Sequence, residues 1–545
     1  MAPLEPTPTA VARAPSAARP RDWIQGVRKR IAARPLLALA AFVVAIATLL
    51  LVIRGAVPGE QLGSGYGRFV PAVVACVAPL VAALAVVRPW EGLLTWVAVM
   101  PLLLIPRVQV TSGPVQVTLT TILLAAVVIG MTFESRRGHP VDLFKSGRLT
   151  RVAWLVAAVL SAISIASVIV STDLVGGLPI ALHGVIEPVV LAAIVITLRP
   201  NLRRLGWLVL ALSTSVAAAS VYSVLRISKV ATSPTEVAAQ RLQLAHFTYY
   251  NVGIYGDMLA MALPLLVVVL FARGWLGLPR WSVVLLLAGL LFSLIGLYET
   301  FSKSAWIGAL AAIVLVVALV SRTWPQRVAA LGAGLLLAAF VVPYPLYLTR
   351  ALGLSTGSSN PYVSAVSSFQ GGRLSSWNPD SSEGEVSISE RVLATEAAIR
   401  MAVDHPLLGV GLGRFGVEYA SPRYHPQSAT RALGSAHDFL PNIAAELGLP
   451  AATLVLVAFV GASIAVARAY LSGKGLTRLL AVGLGGAILG FLVVGATFGV
   501  DLYRPYRVMN ADVLFAGLLV AAALSLGAAA VTANRRASES ATDDH

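Results

Sequence analysis

The chain has 545 residues, of which 57% are hydrophobic and only 12% are charged. Soluble domains run at about 45–50% apolar and about 25% charged, so a soluble enzyme, a disordered chain and a collagen-like fibre are excluded. The net charge of +16 is read as loops facing an anionic membrane surface, sorted by the positive-inside bias, rather than as a nucleic-acid footprint.

In chain order, residues 1–33 are Pro-, Ala- and Arg-rich and read as a disordered cytoplasmic tail. A spanning helix needs about 20 mostly apolar residues. Fourteen runs qualify, near 34–53, 69–87, 90–106, 115–133, 151–170, 178–198, 205–225, 251–272, 281–299, 304–320, 327–348, 437–467, 478–499 and 509–531. The first run is too long for a signal-peptide core and has no clear cleavage site, so it reads as a true span. The single cysteine, Cys76, lies in an apolar run, which leaves no disulfide framework or zinc cluster. The fold expected is an all-α, polytopic integral membrane helical bundle of about 12–14 transmembrane helices. One long external loop, 349–436, interrupts it and carries a short helix near 389–404. Spans 1–11 then occupy 34–348, spans 12–14 occupy 437–531, and 532–545 form a charged tail.

The charge count orients the chain. With both termini inside, most of the 41 Lys and Arg fall on the inner side, among them Arg136, Arg137, Arg203, Arg204, Arg273, Arg280, Lys474 and Arg478. The short-loop form of the rule therefore places both termini in the cytoplasm. Basic residues on the outer side are the exceptions. They include Arg226, Lys229 and Arg241 before span eight, Lys303 before span ten, and Arg391, Arg400, Arg414 and Arg423 in the long loop. Two readings stand for them: an anionic ligand outside, or translocation of a long loop regardless of charge.

Within the loop, 353–387 is rich in Ser, Gly and Asn and reads as flexible. Ser389-Glu390-Arg391 then opens a helical pattern, with Val392, Leu393, Ala397, Ile399 and Ala402 at helical spacing. Ser387 or Ser389 can cap it, and Asp404-His405-Pro406 ends it. There follow Pro406-Leu407-Leu408-Gly409-Val410-Gly411-Leu412-Gly413-Arg414-Phe415, then Ala436-His437-Asp438-Phe439, and Asn442, Glu446, Leu447 and Gly448 at the mouth of span twelve.

An Arg-led helix, "PLLGVGLGRF" and "AHDFLPNIAAELGLPA" together resemble the signature of the O-antigen ligase family, which also contains polysaccharide polymerases. Upstream, "RLQLAHFTYYNVGIYGDMLAMALPL" resembles the family's Arg and Asn segment. "FSKSAWIGALAAIVLVVAL" resembles its Ser-Arg-Gly segment at the external head of a helix. The specific resemblance covers about 240–320 and 388–455. Three departures stand out. Lys303 replaces an arginine in Ser302-Lys303-Ser304, Asp438 replaces the asparagine after His437, and the second glycine after Glu446 is Ala451.

The resemblance implies an inverting, metal-independent glycosyltransferase without a cofactor. Its donor is a glycan on undecaprenyl diphosphate, and its acceptor is a hydroxyl of a glycan, lipid or protein, outside the bacterial cytoplasmic membrane. The partners are then that donor, that acceptor and membrane lipids, with no nucleic acid. Such a reaction needs cations on the diphosphate and a base for the acceptor's proton. His437 is the candidate base, against the plainer reading of a helix-end anchor. Arg241, Lys303 and Arg391 are candidates for the diphosphate grip. Against them stand interfacial snorkelling for the first two and an ion pair with Glu390, Glu396 or Asp404 for Arg391. Asn251, Asp438 and Glu446 are supporting residues. Asp438 reads first as a helix cap, and Glu446 as structural before catalytic. The three loop glycines read as a tight turn under the loop helix, with no strand before them to make a dinucleotide fingerprint.

Two alternatives remain. A polymerase of the same family would join repeat units to each other. A lipid-linked glycan transporter or flippase draws its support from His183 and Glu187, four residues apart inside span six, and from Asp257 in span eight.

Overall fold

A computed structural model gives the structure of the chain and describes residues 39–46, 66–103, 110–112, 115–135, 147–171, 173–230, 252–300, 302–321, 323–325, 328, 332, 388–425, 433–436, 438–497 and 511–543. After a helical stretch over 39–46 come α1 (Tyr66–Val87), α2 (Pro89–Leu103), α3 (Leu119–Ser135), α4 (Arg148–Ser171), α5 (Leu174–Thr197), α6 (Leu202–Val230), α7 (Val252–Leu276), α8 (Ser282–Glu299) and α9 (Lys303–Val320). The loop supplies α10 (Ile388–Asp404) and α11 (Phe415–Tyr419). Then follow α12 (Phe439–Leu447), α13 (Leu449–Ser472), α14 (Leu476–Thr497) and α15 (Ala511–Asp543). Seven of these helices are long and apolar enough to cross a membrane. The protein is an all-α polytopic membrane protein. Of the expected spans, only 327–348 lies almost wholly outside the described residues.

Four details differ from the sequence expectation. The run at 115–133 does not begin as helix. Val110–Ser112 (β1) and Val115–Val117 (β2) form a two-stranded antiparallel ribbon, pairing Val110 with Val117, and α3 starts only at Leu119. Arg226 and Lys229 fall within the last turns of α6 rather than in a loop. The C-terminal tail continues as helix to Asp543, with Ala533, Arg535, Arg536, Ala537, Glu539 and Ala541 as its good helix formers. Finally, 437–467 is not one span. Gly448, at φ 86° and ψ 170°, separates α12 from α13, and Pro450 opens the latter. Only glycine adopts that backbone region readily.

The bundle is built around α7, 89% of whose apolar window is buried. It packs between α6, α8, α9 and α14. Lipid-like surroundings supply no hydrophobic drive between helices, so close contact depends on small side chains. A Cβ on Gly490 of α14 would lie 2.7 Å from the Ala260 carbonyl of α7, and one on Gly308 of α9 would lie 2.9 Å from the Gly490 carbonyl. By contrast α4 and α13 are only 28% and 22% buried and present Leu155, Ile169, Val457 and Val460 outward, as lipid-facing helices do.

Within α5 the turn over Ala181–Ile186 widens to a π-helix. Pro188 follows in the last segment and has no N–H to give to an i−4 carbonyl. The Glu187 N–H reaches back to the Leu182 carbonyl, five residues away. Such bulges often accompany function.

Candidate functional site

The loop helix α10 carries alanines 394, 397 and 398 and Met401 on one buried face. That face packs with Phe415 and Tyr419 of α11, Tyr424, Leu433, Ala436 and Ala445 of α12 into a small core of its own. Phe415 and Tyr419 stack at 5.6 Å, and Tyr419 meets His425 edge-on at 5.6 Å. A fully buried aromatic contributes roughly 1.5–3 kcal/mol, so this core helps hold residues 388–425 as a structured unit.

The end of α10 is clasped. Arg423 Nη2 and the Tyr424 hydroxyl both donate to Asp404 Oδ2, at 2.8 and 2.9 Å. The hydrogen bond from Tyr424, together with Arg423, holds the Asp404 carboxyl below its usual range, against the opposing effect of burial. Burial and then the Asp404 carboxylate push the Tyr424 phenol up to about 12. Glu396 pairs with Arg400 at 2.6 Å. Two of the three acids proposed as partners of Arg391 are thus engaged by other arginines. The Glu390 side chain lies outside the described residues.

Next comes the glycine turn. Gly409, Gly411 and Gly413 all have positive φ, at 67°, 107° and 79°. The turn lies in the break between α12 and α13 and satisfies backbone groups that a broken helix leaves open. The Val410 N–H donates to the Ala445 carbonyl and the Leu449 N–H to the Pro406 carbonyl, both at 2.8 Å. The approach is backbone on backbone. A Cβ on Gly409 would lie 2.4 Å from the Ala445 carbonyl oxygen, and one on Gly448 would lie 2.4 Å from that of Leu407. A Cβ on Gly411 would strike Ser171 at the end of α4.

Glu446, 1% exposed, completes the clamp. Its Oε1 accepts from the Phe415 N–H at 3.2 Å, at the start of α11. Its carbonyl accepts from Ser167 Oγ of α4 at 2.8 Å.

The residues on either side of His437 are held from two elements. Asn442 Oδ1 accepts from the Ala436 N–H at 3.0 Å. Thr395 Oγ1 of α10 donates to Asp438 Oδ2 and also lies 3.4 Å from the Ala436 carbonyl. Asp438 occupies the N-cap position of α12, but its side chain makes no capping bond; the carboxylate turns to Thr395 instead. Arg391 is half-buried on α10, one helical turn before Thr395 and on the same face. His437, Arg241 and Asn251 lie outside the described residues.

The second half of the site is the head of α9. Ser302 caps it, its Oγ accepting from the Ala305 N–H at 3.4 Å. Lys303 is the first helical residue, with its side chain outside the described set. Trp306 Nε1 donates to the Leu297 carbonyl at 2.6 Å and stacks on Tyr298 at 5.7 Å. The head of α7 abuts this corner: a Cβ on Gly256 would lie 2.9 Å from Ala305 Cβ and 3.3 Å from Ser302 Cβ. Asp257, 1% exposed, is the next residue. Helix α14 ties the halves together. Its Phe491 meets Phe439 edge-on at 5.2 Å, and its Val494 lies against Gly308. The heads of α9 and α12 therefore sit at the same end of the bundle.

Elsewhere in the bundle, His183 Nδ1 lies 3.1 Å from Glu187 Oε2, and the Thr121 hydroxyl donates to the other Glu187 oxygen. Both ionisable residues are buried. Among the described residues no group of three or more His, Cys, Asp or Glu is placed to hold a metal ion.

Thr395 and Asn442 were not legible as site residues. Asn442 carries one signal, an amide in an apolar stretch. Thr395 carries none, because its partner is 43 positions away.

These features define a polytopic helical membrane protein whose structured extramembrane loop is clamped into a broken span. Residues 288–456 match the family model described as O-antigen ligase. The match takes in the head of α9, the loop and the α12–α13 break, the same blocks that carry the sequence resemblance to that family. No curated protein matches the chain.

Proposed function

We propose that this membrane protein of polysaccharide assembly transfers a glycan from undecaprenyl diphosphate to an acceptor hydroxyl on the outer side of the bacterial cytoplasmic membrane. Both termini are then cytoplasmic. His437 acts as the base. An imidazole with the ordinary pKa of about 6.5 is mostly neutral near pH 7 and can accept the hydroxyl proton. The freed oxygen attacks the anomeric carbon from the face opposite the diphosphate, with inversion. The bond from that carbon to the diphosphate oxygen breaks, and undecaprenyl diphosphate leaves with the electron pair. Arg241, Lys303 and Arg391 take up the charge that develops on it. Asp438 and Asn251 orient the reacting groups, and Glu446 holds the loop in register. The acceptor is a glycan, a lipid or a protein.

One observation carries this reading. The two residues flanking His437 are fixed by Thr395 and Asn442, at the same bundle end as Lys303. A base and its anion-binding partners gain most from such preorganisation.

The test is the lipid-linked glycan pool in cells lacking the gene, complemented with wild type or with His437→Ala. Full-length glycan on undecaprenyl diphosphate should build up outside the membrane, and only wild type should clear it. Accumulation of single repeat units would instead indicate a polymerase, and accumulation confined to the inner leaflet a flippase. An unchanged pool would refute glycan transfer.

A further inference from the structure

The end of the bundle opposite the candidate site carries an open cleft of about 580 Å³, lined by Phe271, Arg273, Gly274, Trp275, Leu278 and Arg280. It lies where α7 ends and α8 begins. The α7 end is closed by Gly277 at φ 72°, with the Leu278 N–H donating to the Arg273 carbonyl at 3.0 Å. That turn brings the two arginines and the Trp275 indole to the lining of one cleft.

Two neighbouring loops add to the charge. A Cβ on Gly277 would lie 3.4 Å from Arg203 Nη2, so the head of α6 brings a third guanidinium to the turn. A Cβ on Gly475 would lie 2.9 Å from the Trp275 ring, so the α13–α14 hairpin, with Lys474, abuts the same indole. The three segments 199–206, 271–282 and 473–478 contain no Asp or Glu. Among the described residues none of Arg203, Arg273, Arg280 or Lys474 has an ion-pair partner.

The cleft also opens sideways onto an apolar surface. Trp275 and Trp281 are 59% and 65% exposed, and Phe271, Val284 and Leu285 continue outward beside them. Exposed tryptophans above an apolar helix face mark the level where headgroups meet acyl chains. Cations at that depth, with no acid in their three segments and beside an apolar wall, complement a phosphate that carries acyl chains.

We propose that the Arg273–Trp275–Arg280 cleft is a binding site for the phosphate headgroup of an anionic phospholipid. Arg273 and Arg280 hold the phosphate, Trp275 lies along the glycerol and upper acyl chain, and Arg203 and Lys474 raise the local positive potential. In the orientation proposed above, this lipid belongs to the inner leaflet. The site itself does not depend on the chemistry assigned to His437.

The test is native mass spectrometry of the full chain in a neutral detergent, titrated with palmitoyl-oleoyl phosphatidylglycerol or with phosphatidylcholine of the same chains. Wild type should prefer phosphatidylglycerol. Removing two interfacial charges in R273Q/R280Q should weaken that lipid by roughly thirtyfold and leave phosphatidylcholine binding unchanged. The R273K/R280K chain should stay within about threefold of wild type, since charge rather than a planar fork is what a single phosphate needs here. Equal phosphatidylglycerol binding by wild type and R273Q/R280Q would overturn the proposal. So would equal affinity of wild type for the two lipids, or full displacement of the lipid by millimolar inorganic phosphate. Loss of glycan transfer in His437→Ala reads a different end of the molecule, so the two readings fail separately.

Discussion

Gly448→Ala tests the join between loop and span. At φ 86° and ψ 170° an L-residue is strained by about 1–3 kcal/mol. The new methyl would lie 2.4 Å from the Leu407 oxygen, 2.5 Å from its carbonyl carbon and 2.8 Å from the Leu408 nitrogen. All three are backbone atoms, so no side-chain rotation relieves the clash and the turn must withdraw. Withdrawal costs the two 2.8 Å hydrogen bonds at Leu449 and Val410, each worth about 1 kcal/mol net. The sum is about 3–5 kcal/mol against the docked loop. If opening and closing are fast relative to cleavage, protease sensitivity tracks the open population. A loss of 3 kcal/mol should then raise cleavage within 388–436 by more than about a hundredfold. The assay is limited proteolysis of the purified chain, with Gly461→Ala as control, because its methyl would meet only Leu524, at 3.9 Å. Cleavage of Gly448→Ala within about threefold of the control would refute the backbone-clash argument.

Three further outcomes are expected. Thr395→Val removes the donor to Asp438 at the cost of a charge-assisted hydrogen bond, about 1.5–3 kcal/mol. Glycan transfer should fall by at least about tenfold, with Thr395→Ser restoring it; a Ser variant as weak as Val would point to packing instead. The Asp404 clasp should hold across the middle of the pH range and loosen at both ends. Because the Asp404 pKa is lowered on folding, its contribution is complete above the unfolded value of about 3.9 and is lost as pH falls through the lower folded value. Because the Tyr424 pKa is raised to about 12, its contribution is complete below about pH 10 and is lost between there and about 12. Amide exchange in the last turn of α10 reads both limbs. Loosening in the middle of the pH range would contradict the assignment. At Lys303, arginine should support transfer at least as well as lysine, since it can add a second hydrogen bond to phosphate. Glutamine should cut transfer by about tenfold or more. Equal activity of all three chains would remove Lys303 from the diphosphate grip.

Most of the membrane helices were legible because an apolar run of 20 residues has few other uses. The ends of α8 and α9 were expected at 281–299 and 304–320 and lie at Ser282–Glu299 and Lys303–Val320. The break at Gly448 was not legible, because Glu446-Leu-Gly-Leu-Pro reads as a tolerable interruption of one apolar run. What breaks it is the turn at 406–410, about 40 residues upstream, pressing on the backbone. The ribbon at 110–117 was hidden because its valines read as the start of a span. The π-turn in α5 has only prolines to announce it, and prolines are ordinary in membrane helices. In the site, the order of the sequence blocks pointed to the α9 head and the loop. The Thr395–Asp438 and Asn442–Ala436 links arise from tertiary packing and leave no local pattern.

The docking of the 406–410 turn into the α12–α13 break bears on how this protein can be recombined. Two of the hydrogen bonds that close the broken span are supplied by the loop, and the start of α11 is capped by Glu446 of the span. Loop and helix are thus one exchangeable part with no seam between them. A chimera cut at the apparent loop boundary near 437 would graft a turn without its socket, whereas one that carries 388–472 intact would move a self-consistent unit. Through α4 it would ask the host bundle for Ser167 to meet the Glu446 carbonyl and a small residue at 171 to admit Gly411.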